Sequence, residues 1–99
     1  MSYDIDVGNG SHNYTYNMSQ FFKDFRVHPV KDLDGLGSHA AGKRIDMALV
    51  EIIRHDLTEL GEKYNAPNGW GDVLTAIRFL SDVRKSCWDA KPGEKVSVS

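Results

Sequence analysis

The sequence reads as a single α+β domain over residues 1–99, with three helices and a small antiparallel sheet drawn from the N- and C-terminal segments. Three observations carry this reading. Ninety-nine residues suffice for one compact unit with one modest core and little more. Apolar residues recur at helical spacing in three stretches, about residues 18–27, 38–64 and 70–88. Alternation of period two marks residues 3–7 and 96–98, as in half-buried strands.

Tyr3-Asp4-Ile5-Asp6-Val7 sets apolar side chains against carboxylates and forms the first strand. Gly8-Asn9-Gly10-Ser11 then turns the chain, because Gly and Asn tolerate positive φ. Residues 12–16 return as a second strand, with Asn13 and Thr15 on one face and Tyr14 and Tyr16 on the other. Met18, Phe21, Phe22 and Phe25 follow i, i+3, i+4, i+7, so residues 18–27 form a short helix. Asn17 is placed to be its N-cap, and Gln20 stands in the capping-box position. Pro29 stops that helix, and residues 28–37 read as a loop.

The longest helix is expected over about residues 38–64. Ile45, Leu49, Ile52, Ile53, Leu57 and Leu60 form an arc wide enough to need cover on two sides. Asn65-Ala66-Pro67-Asn68-Gly69 ends it with amide and Pro/Gly signals. A third helix over residues 70–88 buries Val73, Leu74, Ile77, Leu80 and Cys87 and turns Arg78, Asp82 and Lys85 to solvent. Val96-Ser97-Val98 is expected to pair as an edge strand with residues 3–7. No internal repeat or linker interrupts the chain.

Composition narrows the function classes. Twelve basic and fourteen acidic residues are interspersed and give a net charge of −2, so no nucleic acid or anionic membrane partner is expected. No apolar run approaches the ~18 residues that span a bilayer. Cys87 is the lone cysteine, and residues 1–6 lack a signal peptide's basic and apolar regions, so the expected location is cytoplasmic. Asn13-Tyr14-Thr15 and Asn17-Met18-Ser19 match the glycosylation acceptor pattern, which has no meaning without secretion.

Catalytic patterns are incomplete. Gly37-Ser-His-Ala-Ala-Gly42-Lys43 matches the front of a phosphate-binding loop, but Arg44 stands where magnesium needs a hydroxyl. A glycine-punctuated helix start is the plainer reading. Asp32, Asp34 and Gly37 fit positions 1, 3 and 6 of a calcium loop, yet Lys43 occupies the position of the bidentate glutamate. His12, His28, His39 and His55 show no metal-ligand spacing, and Cys87 suits a core position on an apolar helix face. No serine shows a His/Asp relay around it. The chain is therefore expected to be no enzyme and to need no metal and no cofactor.

Two motifs remain, Asn13-Tyr14-Thr15-Tyr16-Asn17 and Pro67-Asn68-Gly69-Trp70-Gly71-Asp72. Each joins uncharged polar groups to large aromatics at a helix start, where backbone amides are free. The two are therefore expected side by side, with Asn13, Thr15 and Asn17 bonding the loop amides and Trp70 plugging the core. Asn68 can cap the third helix, the glycines allow close approach, and Asp72 suits the positive helix end. A ligand or partner contact at the same place is the functional counterpart, because amides read edges and rings stack.

At these residues the chain resembles a group of small, mostly uncharacterised proteins of phages and mobile elements. The resemblance spans about residues 12–98 and rests on N-Y-T-x-N and N-x-x-N-G-W-G. Asn13, Tyr14, Thr15 and Asn17 carry the first motif. Asn65, Asn68, Gly69, Trp70, Gly71 and Asp72 carry the second. Ala66 departs from the Asn-Pro of the group, and residues 37–44 differ from its usual helix start. What the resemblance implies is the fold and a phage context, not an activity. The motif residues themselves lead to the expectation of a non-enzymatic phage-type protein that binds a host molecule in the host cytosol. The expected partner is a small, nucleotide-like ligand held by residues 13–17 and 68–72. The alternative is a host enzyme or defence factor inhibited through exposed helix faces. A homo-oligomer stays open.

Overall fold

The computed structural model describes residues 2–99. Strands β1 (Ser2–Val7) and β2 (Gly10–Thr15) form a hairpin, and a 3-10 turn at Tyr16–Met18 leads into α1 (Ser19–Asp24). A π-helical turn at Pro29–Leu33 precedes α2 (Ser38–Ile53) and α3 (Leu57–Tyr64). The long α4 (Val73–Asp89) and the short β3 (Ser97–Val98) complete the order. The class is α+β, with four α-helices among the described residues in place of the three expected.

The sheet is antiparallel in the order β2-β1-β3. Tyr3 faces Tyr14 and Ile5 faces His12 across the hairpin, while Ile5 and Asp6 face Val98 and Ser97 on the other edge. Ser97 and Val98 thus pair with the first strand as read from the alternation, whereas Val96 accepts from Gly35 N–H and donates to the Leu36 carbonyl instead. Tyr3, Ile5 and Val7 are buried, whereas Asp4 and Asp6 stay exposed. Helix α4 packs against α2 and against both strands of the hairpin. Ile5, Phe21, Phe22, Leu33, Ile45, Ile52 and Leu80 fill the space between them.

The helix boundaries depart from the sequence reading for identifiable reasons. The first helix ends at Asp24 rather than near residue 27. Val27 N–H bonds the Phe22 carbonyl (2.9 Å) and Arg26 N–H bonds that of Lys23 (3.1 Å), which closes the helix as a Schellman motif. Arg26 takes the left-handed position, φ +61°, that glycine usually fills. Asn17 is not the cap; Thr15 Oγ1 accepts from Asn17 N–H at 3.2 Å. Gln20 closes no capping box and donates instead to Asp24.

The expected helix over 38–64 is two helices. Arg54 and His55 N–H bond back three residues, to Glu51 and Ile52, tightening the end of α2. Asp56 then starts α3 by accepting from Thr58 N–H (2.8 Å) and Glu59 N–H (3.3 Å). Splitting the helix leaves its arc uncovered on one side, so Ile53 is 70% and Leu57 is 42% exposed.

The third helix begins at Val73, not at residue 70, because Asp72 is its N-cap and accepts from Thr75 N–H at 2.8 Å. Asn65 Oδ1 takes Val73 N–H at 2.8 Å, and Asn68 caps nothing in this helix. Leu74 points outward, 66% exposed, and Ala76, Phe79 and Val83 join Val73, Leu80 and Cys87 on the inner face.

Segment 28–37 carries more structure than a loop. Asp32 accepts from His28 N–H (2.9 Å) and Asp34 accepts from Val98 N–H (3.0 Å), which explains the spacing that resembled a calcium loop. Residues 38–44 lie within α2 and wrap nothing. Gly42 is buried there, and a Cβ on it would stand 2.9 Å from Trp88 Cε2 and Nε1. Its place in the near phosphate-loop pattern reflects contact with an indole.

Candidate functional site

The second motif is a tight loop between α3 and α4. Ala66 N–H bonds the Gly71 carbonyl (3.0 Å) and Gly69 N–H bonds that of Ala66 (3.1 Å), closing residues 66–71 on themselves. Gly69 and Gly71 sit at φ +75° and +130°, positions that other residues rarely adopt. Asn68 Oδ1 accepts from Trp70 N–H at 3.0 Å, an Asx-type turn. The loop is held at both ends, since Asn65 and Asp72 cap the start of α4 from either side.

The first motif lies against this loop. Asn17 Nδ2 donates to the Trp70 carbonyl at 2.9 Å, and the Tyr14 hydroxyl donates to the Asp72 carbonyl at 3.1 Å. Tyr14 Oη is also 2.8 Å from Thr75 Oγ1. Burial of the ring pushes the Tyr14 hydroxyl pKa above its ordinary range, with these hydrogen bonds opposing. At Gly71 the two motifs meet so closely that an added Cβ would lie 3.0 Å from Thr15 Cγ2 and 3.1 Å from Met18 Cγ. The adjacency expected from the sequence is present.

Its details differ from expectation in three respects. Asn13 does not reach the loop. It donates to Ser2 Oγ and Asp4 Oδ1, both at 2.8 Å, and secures the hairpin. Thr15 turns to Asn17 N–H, and Asn17 meets a loop carbonyl rather than an amide. Trp70 does not plug the core but projects into solvent, 73% exposed. The glycine turns that fix its backbone carry the ring outward, and the partly buried Tyr14 packs against the core instead. That ring stacks on Phe79 at 5.0 Å and meets Phe22 edge-on at 5.7 Å.

Two concave features flank α3. A groove of about 670 Å³ runs between α3 and the start of α4, lined by Leu57, Gly61, Glu62, Asn65, Asp72 and Leu74 among others. It is apolar with two carboxylates and no cation. A larger cleft of about 820 Å³ lies between the end of α1, the outer face of α2 and the end of α3. Neither is bordered by Trp70, Tyr14 or Tyr16.

Sequence reading missed two side-chain arrangements that only the tertiary fold creates. His12 Nε2 lies 2.7 Å from Ser86 Oγ, a serine–histidine pair joining β2 to α4. No carboxylate orients this His12 ring among the described residues, and the pair lines neither concavity, so it pins strand to helix. His28 Nδ1 accepts from Lys31 N–H (3.2 Å), which leaves Nε2–H to donate to Tyr3 Oη (3.0 Å). The Tyr3 hydroxyl bonds Ser19 Oγ, which donates to the Tyr16 carbonyl at 2.7 Å. Burial lowers the His28 pKa from its ordinary value. Cys87 is buried in the core, and burial alone raises its thiol to about 11.

No cluster of three or more His, Cys, Asp or Glu side chains is placed to hold a metal among the described residues. Nor, among those residues, is any helix long and apolar enough to cross a membrane. No family model, no curated protein and no solved structure matches this chain.

Proposed function

We propose that this chain is a non-enzymatic binding protein of the phage type, and that the host molecule it engages is a protein rather than a small ligand at the motif residues. The observation that carries this reading is Trp70, 73% exposed on a loop whose backbone is fixed by hydrogen bonds on both sides. A tryptophan on a backbone already fixed loses no loop freedom on docking and offers a large apolar face, and this residue type dominates many interfaces.

The polar atoms that a small ligand would need at the same place are largely engaged within the chain. Asn13, Thr15, Asn17, Asn68 and the Asp72 carboxylate each hold a hydrogen bond to a neighbouring group. Leu57 and Leu74 line a separate groove beside Asp72 and offer further exposed apolar surface. Glu62 and Asp72 border it, so the matching partner segment carries apolar and basic side chains.

Trp70→Ala and Leu74→Glu variants test the reading. Trp70→Ala should change unfolding free energy by less than ~1 kcal/mol, as for a surface residue. Both variants should lose a host protein that the parent retains on an affinity column, and calorimetry with that purified protein should show the same loss. Retention of the same partner by both variants would refute the proposal. A dimeric parent that becomes monomeric on Trp70→Ala would place a second copy of the chain at this surface instead. Native mass spectrometry showing a retained small molecule that disappears with Thr15→Val would place a small ligand at the motif residues instead.

A further inference from the structure

The cleft between α1, α2 and α3 carries chemistry that the tryptophan surface does not use. We propose that it binds a small phosphorylated ligand bearing an aromatic ring, of the nucleotide class, through Arg26, Lys43, Arg44 and Lys63. Ala40, Lys43, Arg44, Met47, Glu51 and His55 face it from one stripe of α2 and the turn that follows, at successive helical spacings. Arg26 enters from the end of α1 and Lys63 from the end of α3, so the four cations arrive from three separate elements.

Charge sets this cleft apart from the rest of the molecule. It gathers four cations and two carboxylates on a chain whose net charge is −2. The carboxylates are already engaged. Asp24 accepts from the Tyr64 hydroxyl and from Gln20 Nε2, and Glu51 stands 3.6 Å from Arg54 and 3.8 Å from His55. None of the four cations lies within 4.0 Å of a carboxylate oxygen among the described residues. Lys63 Nζ stands 5.1 Å from the Tyr64 ring centroid, so its contact there is with an aromatic face rather than a carboxylate. Cations without a carboxylate partner around a concavity attract a multivalent anion, and phosphate oxygens accept from Arg and Lys with charge assistance.

Arg26 supplies an independent argument. Its backbone is left-handed at a Schellman position, where glycine fits without penalty. Helix termination would therefore be served better by glycine, whereas a long cation there gains the chain a guanidinium in the cleft. Phe25, Met47 and Tyr64 add apolar and aromatic surface to the same wall, which suits a base or comparable ring.

Calorimetry and amide-shift NMR with inorganic phosphate, pyrophosphate, AMP and ATP test this on the intact chain. Binding should shift residues of the cleft, weaken as sodium chloride rises, and be tighter for ATP than for pyrophosphate. Arg26→Gly should weaken ATP binding by about tenfold or more while its thermal midpoint stays level or rises, so a loss cannot be charged to misfolding. Arg44→Gln should weaken binding similarly.

The proposal is overturned if none of the four probes binds at millimolar concentration, or if Arg26→Gly binds like the parent. Equal affinity for ATP and pyrophosphate would remove the ring from the ligand. Preference for a single-stranded oligonucleotide over every mononucleotide would replace the small ligand with nucleic acid.

Discussion

Replacing Gly71 with alanine should cost markedly more than replacing Gly69, and the difference reports how tightly the two motifs are pressed together. Both glycines have positive φ, +75° at Gly69 and +130° at Gly71, so each substitution imposes backbone strain. At Gly69 nothing lies within 4 Å of an added Cβ, and the cost should stop at the roughly 1–2 kcal/mol of a left-handed non-glycine residue. At Gly71 strain of about 1–3 kcal/mol is joined by steric conflict. The new carbon would stand 3.0 Å from Thr15 Cγ2 and 3.1 Å from Met18 Cγ, and Met18 is buried with little room to move. Overpacking of that kind adds about 1–3 kcal/mol, for a total of roughly 2–6 kcal/mol. Urea unfolding at constant m-value measures both variants. Thr15→Ser in the Gly71→Ala background removes Cγ2 and should recover part of the loss, as a double-mutant cycle would register. Equal costs at Gly69 and Gly71, with no recovery from Thr15→Ser, would refute the idea that the motifs constrain one another.

Stability should also depend on His28 and on pH. Burial lowers its folded-state pKa below the ordinary 6.5, so protonation favours the unfolded chain. The contribution is complete above pH 6.5, declines as pH falls below that value, and levels off below the folded pKa; the midpoint in urea should drop over that window. His28→Asn keeps an acceptor for Lys31 N–H without a titrating ring and should flatten the decline, so superimposable pH profiles would count against this account. Cys87, raised to about 11 by burial, should react slowly with a thiol reagent at pH 8 and faster only as urea unfolds the chain. Rapid stoichiometric labelling of the native protein would contradict its place in the core.

How much of this was legible in the sequence depended on whether a feature is local. The strands at residues 2–7 and 97–98 follow from alternation, because a half-buried sheet imposes that period on its residues. The core faces of α1 and most of α4 follow from helical spacing. The break at Asp56 was readable in principle, since Asp-Leu-Thr-Glu is a good helix start, but the continuous apolar arc through Ile53 and Leu57 outweighed it. Trp70 shows the opposite limit. Size and hydrophobicity placed it inside, yet the direction of a side chain on a glycine turn depends on two dihedrals that the sequence does not display. The cations of the cleft were also out of reach, because Arg26, Lys43 and Lys63 meet only after three helices are arranged.

The order of strands in the sheet has a kinetic consequence. The β1–β2 hairpin is local and can form early, within microseconds for a typical hairpin. The opposite edge of β1 waits for partners from the far end of the chain: Val98 opposite Ile5, and the reciprocal Asp4–Ser99 backbone bonds at 3.1 and 2.9 Å. The same terminal stretch ties down the start of α2, since Ser38 N–H bonds the Glu94 carbonyl and Val96 N–H bonds that of Leu36. Closing so long a loop costs entropy before it returns any contact, so docking of residues 94–99 belongs late in folding. Until then β1 presents an unpaired row of amides and carbonyls, the kind of edge that recruits other chains. Asp4 and Asp6 flank Ile5 on that strand, and their like charges repel a second copy during the interval when the edge is bare.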